Sequence, residues 1–259
     1  MDLQLNGKTA IVTGGTAGIG LAIARALSEE GVEVTIPGRT SKKLQEALSS
    51  LPGNARGIEA DLGTAEGAAK LIEQARETDI LVNNLGIYEP KEFSQITDEE
   101  WLRIFEVNVL SGIRLARHYF PTMLKRNWGR VIFISSESAI MTPSEMVHYG
   151  MTKTAQLAVS RGLAEQTKGT KVTVNAVLPG PTHSEGIVEF LHGLASAPDA
   201  TPAQAEKEFF NKYRSSSLLQ RLIEGREVAN LVCYIASPLS SATNGAALRI
   251  EGGILQSIA

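Results

Sequence analysis

Apolar, β-branched runs alternate with helical patterns along the whole of this 259-residue chain. That alternation predicts an α/β fold: one doubly wound, mainly parallel sheet flanked by helices. Two further observations support it. Runs such as Ile80-Leu81-Val82 and Val131 to Ile134 are apolar without a break, as strands buried on both faces must be. No linker, low-complexity segment or internal repeat divides the chain, so a single domain over 1–259 is expected.

The bulk composition narrows the function classes. The chain is 43% hydrophobic and 20% charged, ordinary for a globular protein. A net charge of −3 gives no reason to expect nucleic acid or an anionic membrane as partner. Cys233 is the sole cysteine, so an internal disulfide is impossible, and its apolar setting, Leu231 to Ile235, predicts packing. The start, Met1 to Lys8, lacks the features of a signal peptide, and no apolar run approaches the length of a membrane span. A cytoplasmic location is the expectation, with no metal site.

Thr9 to Val12 reads as the first strand, running into Thr13-Gly14-Gly15-Thr16-Ala17-Gly18-Ile19-Gly20 and a helix from about Leu21 to Glu30. Glycines let the backbone turn tightly and approach a ligand, and a helix amino terminus suits a diphosphate. A plain turn would use the same residues. Val32 to Ile36 is the second strand, with Pro37 expected to end it because proline lacks a backbone donor. Its tip carries Gly38 and Arg39 and no acid. In dinucleotide-binding folds a carboxylate there takes the ribose 2′-hydroxyl, whereas an arginine accommodates a 2′-phosphate. NADP(H) is therefore favoured, with NAD(H) possible and an ordinary exposed arginine as the alternative.

Ser41 to Ser50 reads as a helix broken by Pro52-Gly53-Asn54, and Arg56 to Ala60 as a third strand ending at Asp61-Leu62. Ala65 to Arg76 is helical. Ile80 to Val82 is a strand followed by Asn83-Asn84-Leu85-Gly86. Asp98 to Lys125 is one long helical region capped by Thr97, with Glu99 and Glu100 favouring its amino end. Asn108 lies inside it among apolar residues, a costly place for an amide, which points to a specific task. A helix reaches about Gln166, Val172 to Val177 is the sixth strand, and Leu178 to Thr182 closes it. Residues 183–214, interrupted by Pro198 and Pro202, are expected to form helical pieces of a mobile substrate lid. Glu227 to Ala236 is a helix and Ala247 to Ile250 the last strand.

The chemistry concentrates between Gly129 and Lys153. Ser135 and Ser136 stand where the strand from Val131 should end. Tyr149 and Lys153, four apart, share one helix face. A phenol ionises near pH 10, too high for a proton shuttle at neutrality, and a nearby ammonium is expected to lower it. With a serine to hold an oxygen, the set suits proton exchange at an oxygen whose carbon exchanges a hydride. The same spacing also occurs on ordinary helix surfaces.

Together these motifs resemble the short-chain dehydrogenase/reductase family in its single-domain form, over essentially the whole chain. Thr13-Gly14-x-x-x-Gly18-Ile19-Gly20 is similar to the family's cofactor loop, and Asp61-Leu62 to the pair flanking the adenine. Asn83-Asn84-Leu85-Gly86 is similar to its Asn-Asn-Ala-Gly. Asn108, Ser136, Tyr149 and Lys153 match its tetrad, and Pro179-Gly180 with Thr182 its nicotinamide-covering segment. The resemblance implies a seven-stranded Rossmann sheet binding a nicotinamide dinucleotide. Tyr149 would be general acid or base, Lys153 would tune it and hold the nicotinamide ribose, Ser136 would orient the substrate oxygen, and Asn108 would hold a relay water behind Lys153. Cofactor contacts are implied for Gly14, Thr16, Gly18, Ile19, Arg39, Asp61, Leu62, Asn84, Gly86, Tyr149, Lys153, Pro179 and Thr182. Relatives of this form are usually homotetramers or dimers.

Four departures stand out. Leu85 replaces alanine and is expected to crowd the cofactor channel. Ala17 stands where NADP-specific relatives often carry a second basic residue. Ser184 replaces a usual threonine. Glu137 follows Ser136 where relatives mostly carry an apolar residue, to line the pocket or face solvent. The function implied is hydride transfer between the nicotinamide cofactor and a small-molecule carbonyl or secondary alcohol. A cofactor-binding sensor or scaffold with little turnover, and an epimerase using the same cofactor, are the alternatives.

Overall fold

The computed structural model describes residues 1–53, 55–197 and 199–258. Asn54 and Pro198, read above as a breaker and an interruption, lie outside the described residues. Among the described residues, seven parallel strands form one sheet in the order β3-β2-β1-β4-β5-β6-β7. They are β1 (Thr9–Val12), β2 (Glu33–Gly38), β3 (Arg56–Glu59), β4 (Ile80–Asn83), β5 (Gly129–Ile134), β6 (Val172–Pro179) and β7 (Ala247–Ile250). Strand order reverses at β1 and β4, so their carboxyl ends open a crevice between them, where ligands bind in such sheets.

Helices cover both faces: α1 (Gly18–Glu29), α2 (Ser41–Ser50), α3 (Ala65–Gln74), α4 (Asp98–Phe105), α5 (Ser111–Lys125), α6 (Val147–Glu165), α7 (Glu185–Leu194), α8 (Pro202–Tyr213) and α9 (Gly225–Ala236). Alternate residues of each central strand serve opposite cores. Ile80 and Val82 pack with Ile23 and Leu27 of α1 and Val228 and Val232 of α9. Leu81 packs on the other face with Leu71 of α3 and Leu115, Tyr119 and Met123 of α5. This two-residue period is why the strands read as unbroken apolar runs. A third, separate cluster holds α7 and α8 together through Leu191, Ala205, Phe209, Phe210 and Leu222.

The region Asp98 to Lys125 is helical as expected, with a π-helical turn, Glu106–Leu110, joining α4 to α5. Two expectations are corrected here. Pro37 does not end its strand: it pairs with Ile58, and β2 runs on to Gly38. The Gly38 carbonyl accepts from Ala60 N on the β3 side, so alternation turns Pro37 toward β1, whose last pair with β2 is Ile11 with Thr35. No ladder partner stands where the proline lacks a donor. Pro179 in β6 repeats the device: Gly180 N donates to Ile250 O of β7, so Pro179 faces β5, which has already ended at Ile134. Secondly, Pro202 does not interrupt a helix but starts α8, inside a reciprocal cap of Thr201 and Gln204. The first helical position has no intrahelical use for the N–H that proline lacks. Among the described residues no helix is long and apolar enough to cross a membrane.

Candidate active site

The carboxyl ends of β1 and β4 are tied at one residue. Thr13 Oγ1 donates to Val82 O and accepts from Asn84 N at 2.8 Å and Leu85 N at 2.9 Å. Asn84 Nδ2 donates back to Thr13 O at 3.0 Å. The glycine turn is tight: Gly14 has φ +63°, a left-handed conformation, and a Cβ on Gly20 would lie 2.2 Å from Gly14 O. Ala17, which precedes α1, supplies no side-chain cap, whereas Thr40, Thr64 and Thr97 cap their helices. The first N–H groups of α1 are thus left for an anion.

Two cavities meet over this turn, sharing Gly14, Leu85 and Gly86. One, about 360 Å³, is lined by Thr16, Arg39, Asp61 and Leu62. The other, about 390 Å³, is lined by Gly18, Ile19, Asn84, Ser136, Tyr149 and Thr182. Together the two cavities run from Arg39 past the shared glycines to Tyr149. Leu85 lines both halves. Pro179 stands one step back, since the lining there begins at Gly180. Thr182 Oγ1 is occupied by Gly180 O at 2.8 Å.

Ser136 sits just past β5. Its Oγ donates to Glu137 Oε2 and accepts from Ser138 N at 3.1 Å. Ser135 turns away and donates to Lys153 O at 2.9 Å. The first turn of α6 presents Tyr149 to the cavity, and Lys153 lies buried behind it, its Nζ 5.5 Å from the centre of the Tyr149 ring. Asn108, in the π turn, clamps the backbone beyond β4: Oδ1 accepts from Ile87 N at 2.7 Å, and Nδ2 donates to Ile87 O at 2.9 Å and Thr152 Oγ1 at 3.0 Å. A methyl group placed on Gly86 would lie 3.5 Å from both Asn108 Oδ1 and Lys153 Nζ. Asn108 and Lys153 therefore stand just behind the wall at that glycine.

Behind Lys153 lies a second amide. Lys153 Nζ donates to Ile134 O at 3.0 Å and Gln156 Oε1 at 3.3 Å, and Gln156 Nε2 donates to Asn108 O at 2.6 Å. An amide side chain thus links Lys153 to the Asn108 carbonyl. The expected lowering of the phenol by Lys153 is not the prevailing balance. Burial pushes the Tyr149 phenol above its ordinary value, and the Glu137 carboxylate adds to the rise against Ser136 and Arg214. Burial in turn pushes the Lys153 ammonium down to about 8, opposed by Glu137.

Glu137 faces the cavity, not solvent. It is 4% exposed, and its Oε1 accepts from Arg214 Nε at 3.3 Å. Arg214, just after α8, also approaches Glu145 at 3.5 Å. Sequence reasoning missed Arg214, together with Tyr88, which meets the Tyr149 ring edge-on at 6.1 Å, and Phe190, 6.0 Å beyond Tyr88. The aromatic spacing on α7 and α8 was the available signal, but the partner across the cavity is distant in sequence.

A parallel sheet in this order, a glycine turn feeding an uncapped helix, and a tyrosine and lysine on one helix at its edge define a dinucleotide-binding enzyme. Comparison with known proteins narrows the class. Residues 8–192 match the family model described as short chain dehydrogenase. The uncharacterized oxidoreductase YvaG of Bacillus subtilis is 50% identical over 265 residues, with 100% of each chain covered. The 3-oxoacyl acyl-carrier-protein reductase of Aquifex aeolicus is 31% identical, covering 98% of this chain and 100% of its own. The crystal structure of L-sorbose reductase from Gluconobacter frateurii, complexed with NADPH and L-sorbose, superposes with a TM-score of 0.93 at 28% identity over 100% of each chain. The chain belongs to the short-chain dehydrogenase/reductase family. It is a nicotinamide-dependent oxidoreductase acting on CH–OH or C=O groups.

Proposed function

We propose that this protein is an NADPH-preferring reductase of a small-molecule carbonyl, working reversibly on the corresponding secondary alcohol. The observation that carries the reading is the joining of the two cavities at Gly14 and Gly86, with Ser136 and Tyr149 lining the second and Lys153 and Asn108 directly behind. When bound, the cofactor supplies or takes the hydride. Tyr149 gives its proton to the substrate oxygen in reduction and recovers it in oxidation. A phenol held above its ordinary value stays protonated at neutral pH, which favours the donating direction. Ser136 positions the same oxygen. Its O–H donates to Glu137, and rotating that O–H toward the substrate lets it donate to the substrate oxygen instead. Lys153 holds the ribose and fixes the phenol from behind, and Asn108 keeps the segment at Gly86 in place.

NADPH is preferred over NADH in this reading because Arg39 stands at the rim of the first cavity with no carboxylate at the β2 tip. The NADPH in the sorbose reductase supports the same choice. The floor of the first cavity is formed by Asp61 and Leu62. Thr16, Gly18, Ile19 and Asn84 line the path between the halves, and Pro179 through Thr182 covers the nicotinamide. The segment 183–214 is assigned as the lid of a single domain, and the protein as a cytoplasmic homo-oligomer, dimer or tetramer. Replacing Tyr149 by Phe tests the central assignment. NADPH affinity, read by fluorescence titration, is expected to hold, while kcat falls by about two to four orders of magnitude. Full turnover in that variant refutes the role of the phenol.

A further inference from the structure

We propose that Glu137 and Arg214 form a selecting wall in the substrate cavity, which takes a neutral compound carrying a hydroxyl on the carbon next to the reacting carbonyl. The inference rests on the assignment of Ser136 and Tyr149 to the reacting oxygen.

Both side chains are nearly fully buried, at 4% and 6% exposed, yet both line the cavity. Burial of a carboxylate is costly unless it is paired and hydrogen-bonded. Glu137 meets that condition only in part. One oxygen accepts from Ser136 Oγ and the other from Arg214 Nε at 3.3 Å. An ionised carboxylate offers about four acceptor sites, so roughly half its capacity is left for a donor arriving in the cavity.

Geometry identifies that donor. Ser136 Oγ lies between the reacting oxygen and Glu137, and its one O–H, once turned to the reacting oxygen, frees a further acceptor site on Glu137. A hydroxyl on the carbon beside a carbonyl lies within one hydrogen-bond length of the carbonyl oxygen. With that oxygen held by Ser136, the neighbouring hydroxyl comes within reach of Glu137. A plain ketone would leave the carboxylate's open sites facing apolar surface, and sites built to bind a hydroxyl discriminate strongly against analogues that lack it.

Charge rules on the competing class. Arg214 is already shared between Glu137 and Glu145, and its Nη1 donates to Tyr213 O at 2.8 Å. Glu137, lining the cavity, meets any substrate carboxylate as a like charge, and the guanidinium beside it is already divided between two acids. The arginine is therefore the clamp that holds Glu137 in place rather than an anchor for an acid.

Three compounds differing at one carbon decide the matter: 1-hydroxy-2-butanone, 2-butanone and 2-oxobutanoate, each assayed with NADPH. The wild-type protein is expected to show kcat/KM for the hydroxyketone at least about tenfold above the other two, the discrimination of one charge-assisted hydrogen bond. Glu137→Gln keeps the shape but removes the charge, and it should cut the preference over both 2-butanone and 2-oxobutanoate by about tenfold. Equal use of the three compounds by the wild type, or a preference for the acid or the plain ketone, overturns the inference without recourse to any variant. So does a Glu137→Gln protein that loses activity on all three in proportion, because a mere strut between lid and catalytic loop would behave that way. Reduction of other carbonyl compounds but none of these three also overturns it, while leaving the oxidoreductase reading intact. Failure to reduce any carbonyl compound removes both.

Discussion

Lys153 is a side chain on which burial and hydrogen bonding pull in opposite directions. Its ammonium is held by Ile134 O and Gln156 Oε1, yet burial brings its pKa down from 10.5 to about 8. The unfolded chain keeps that proton up to the free value, while the folded chain releases it near 8. Between those limits the unfolded state binds more protons, so this group makes the protein more stable as pH rises from about 8 toward 10. Tyr149 and Cys233, both pushed up by burial, act the other way as the unfolded phenol and thiol begin to ionise, so the contribution of Lys153 is read as a difference between two proteins. The change in urea midpoint from pH 7.5 to 9.5 should be more positive in the wild type than in Lys153→Met, and equal changes in the two proteins would rule out the effect. Residue-level reading from sequence reached these groups because each is a chemical misfit in its surroundings: Asn108 inside an apolar helix, Glu137 at an apolar position. It did not reach Gln156, an unremarkable amide on a helix, whose importance lies in two partners that only the fold supplies.

Among the elements, the pair α7 and α8 stands apart from the sheet. Phe209 is 2% exposed and packs against Phe190 at 6.1 Å, Phe210 at 5.4 Å and Tyr213 at 6.0 Å, with the Arg214 guanidinium 5.6 Å from its ring centre. These aromatics form a cluster separate from the two sheet cores. Truncation of Phe209 to Ala removes about 3–5 kcal/mol of packing, and the loss should stay local. Faster proteolytic nicking within 183–214 and a lower kcat/KM for the carbonyl substrate are expected, with NADPH affinity kept. A parallel loss of NADPH affinity would show that the cluster supports the whole site. The sequence marked this segment as helical pieces but took Pro202 for an interruption, because a proline is the same letter whether it breaks a helix or begins one. The capping pair Thr201 and Gln204 resolves it. Pro37 and Pro179 teach the same lesson for strands. Their tolerance depends on which neighbour has already ended, and that information lies in another strand.

For the molecule as a whole, stability and cofactor choice are linked. The two cavities lie over the tips of β1 and β4, where the two halves of the sheet meet, so a ligand bridging them stabilises both halves together. NADPH at one hundred times its Kd should add about 2.7 kcal/mol to unfolding, seen as a rise in Tm, with NADH at the same concentration giving less. Substituting Arg39 by Ala should bring the two shifts together. A larger shift with NADH in the wild type would overturn the reading of Arg39. The layered parallel fold was legible almost throughout, because each strand buried on both faces writes an unbroken apolar run and each crossover helix writes its own period. Ser136, Tyr149, Lys153 and Asn108 were legible as candidates because their spacing is set within single elements or by the family pattern. The opposite wall was legible only at Glu137, since Tyr88, Phe190 and Arg214 join it only through tertiary packing.

The π turn at Glu106–Leu110 carries one more implication. A regular helix advances about 100° per residue, so Asn108 and the core face of α5 could not be aimed independently within an unbroken helix. The wider turn adds a phase offset between them. Leu115, Tyr119 and Met123 can then be exchanged for other core residues while Asn108 keeps its grip on Ile87. Shortening the chain there by one residue would restore an ideal spiral and force a choice between a packed interior and an aligned amide.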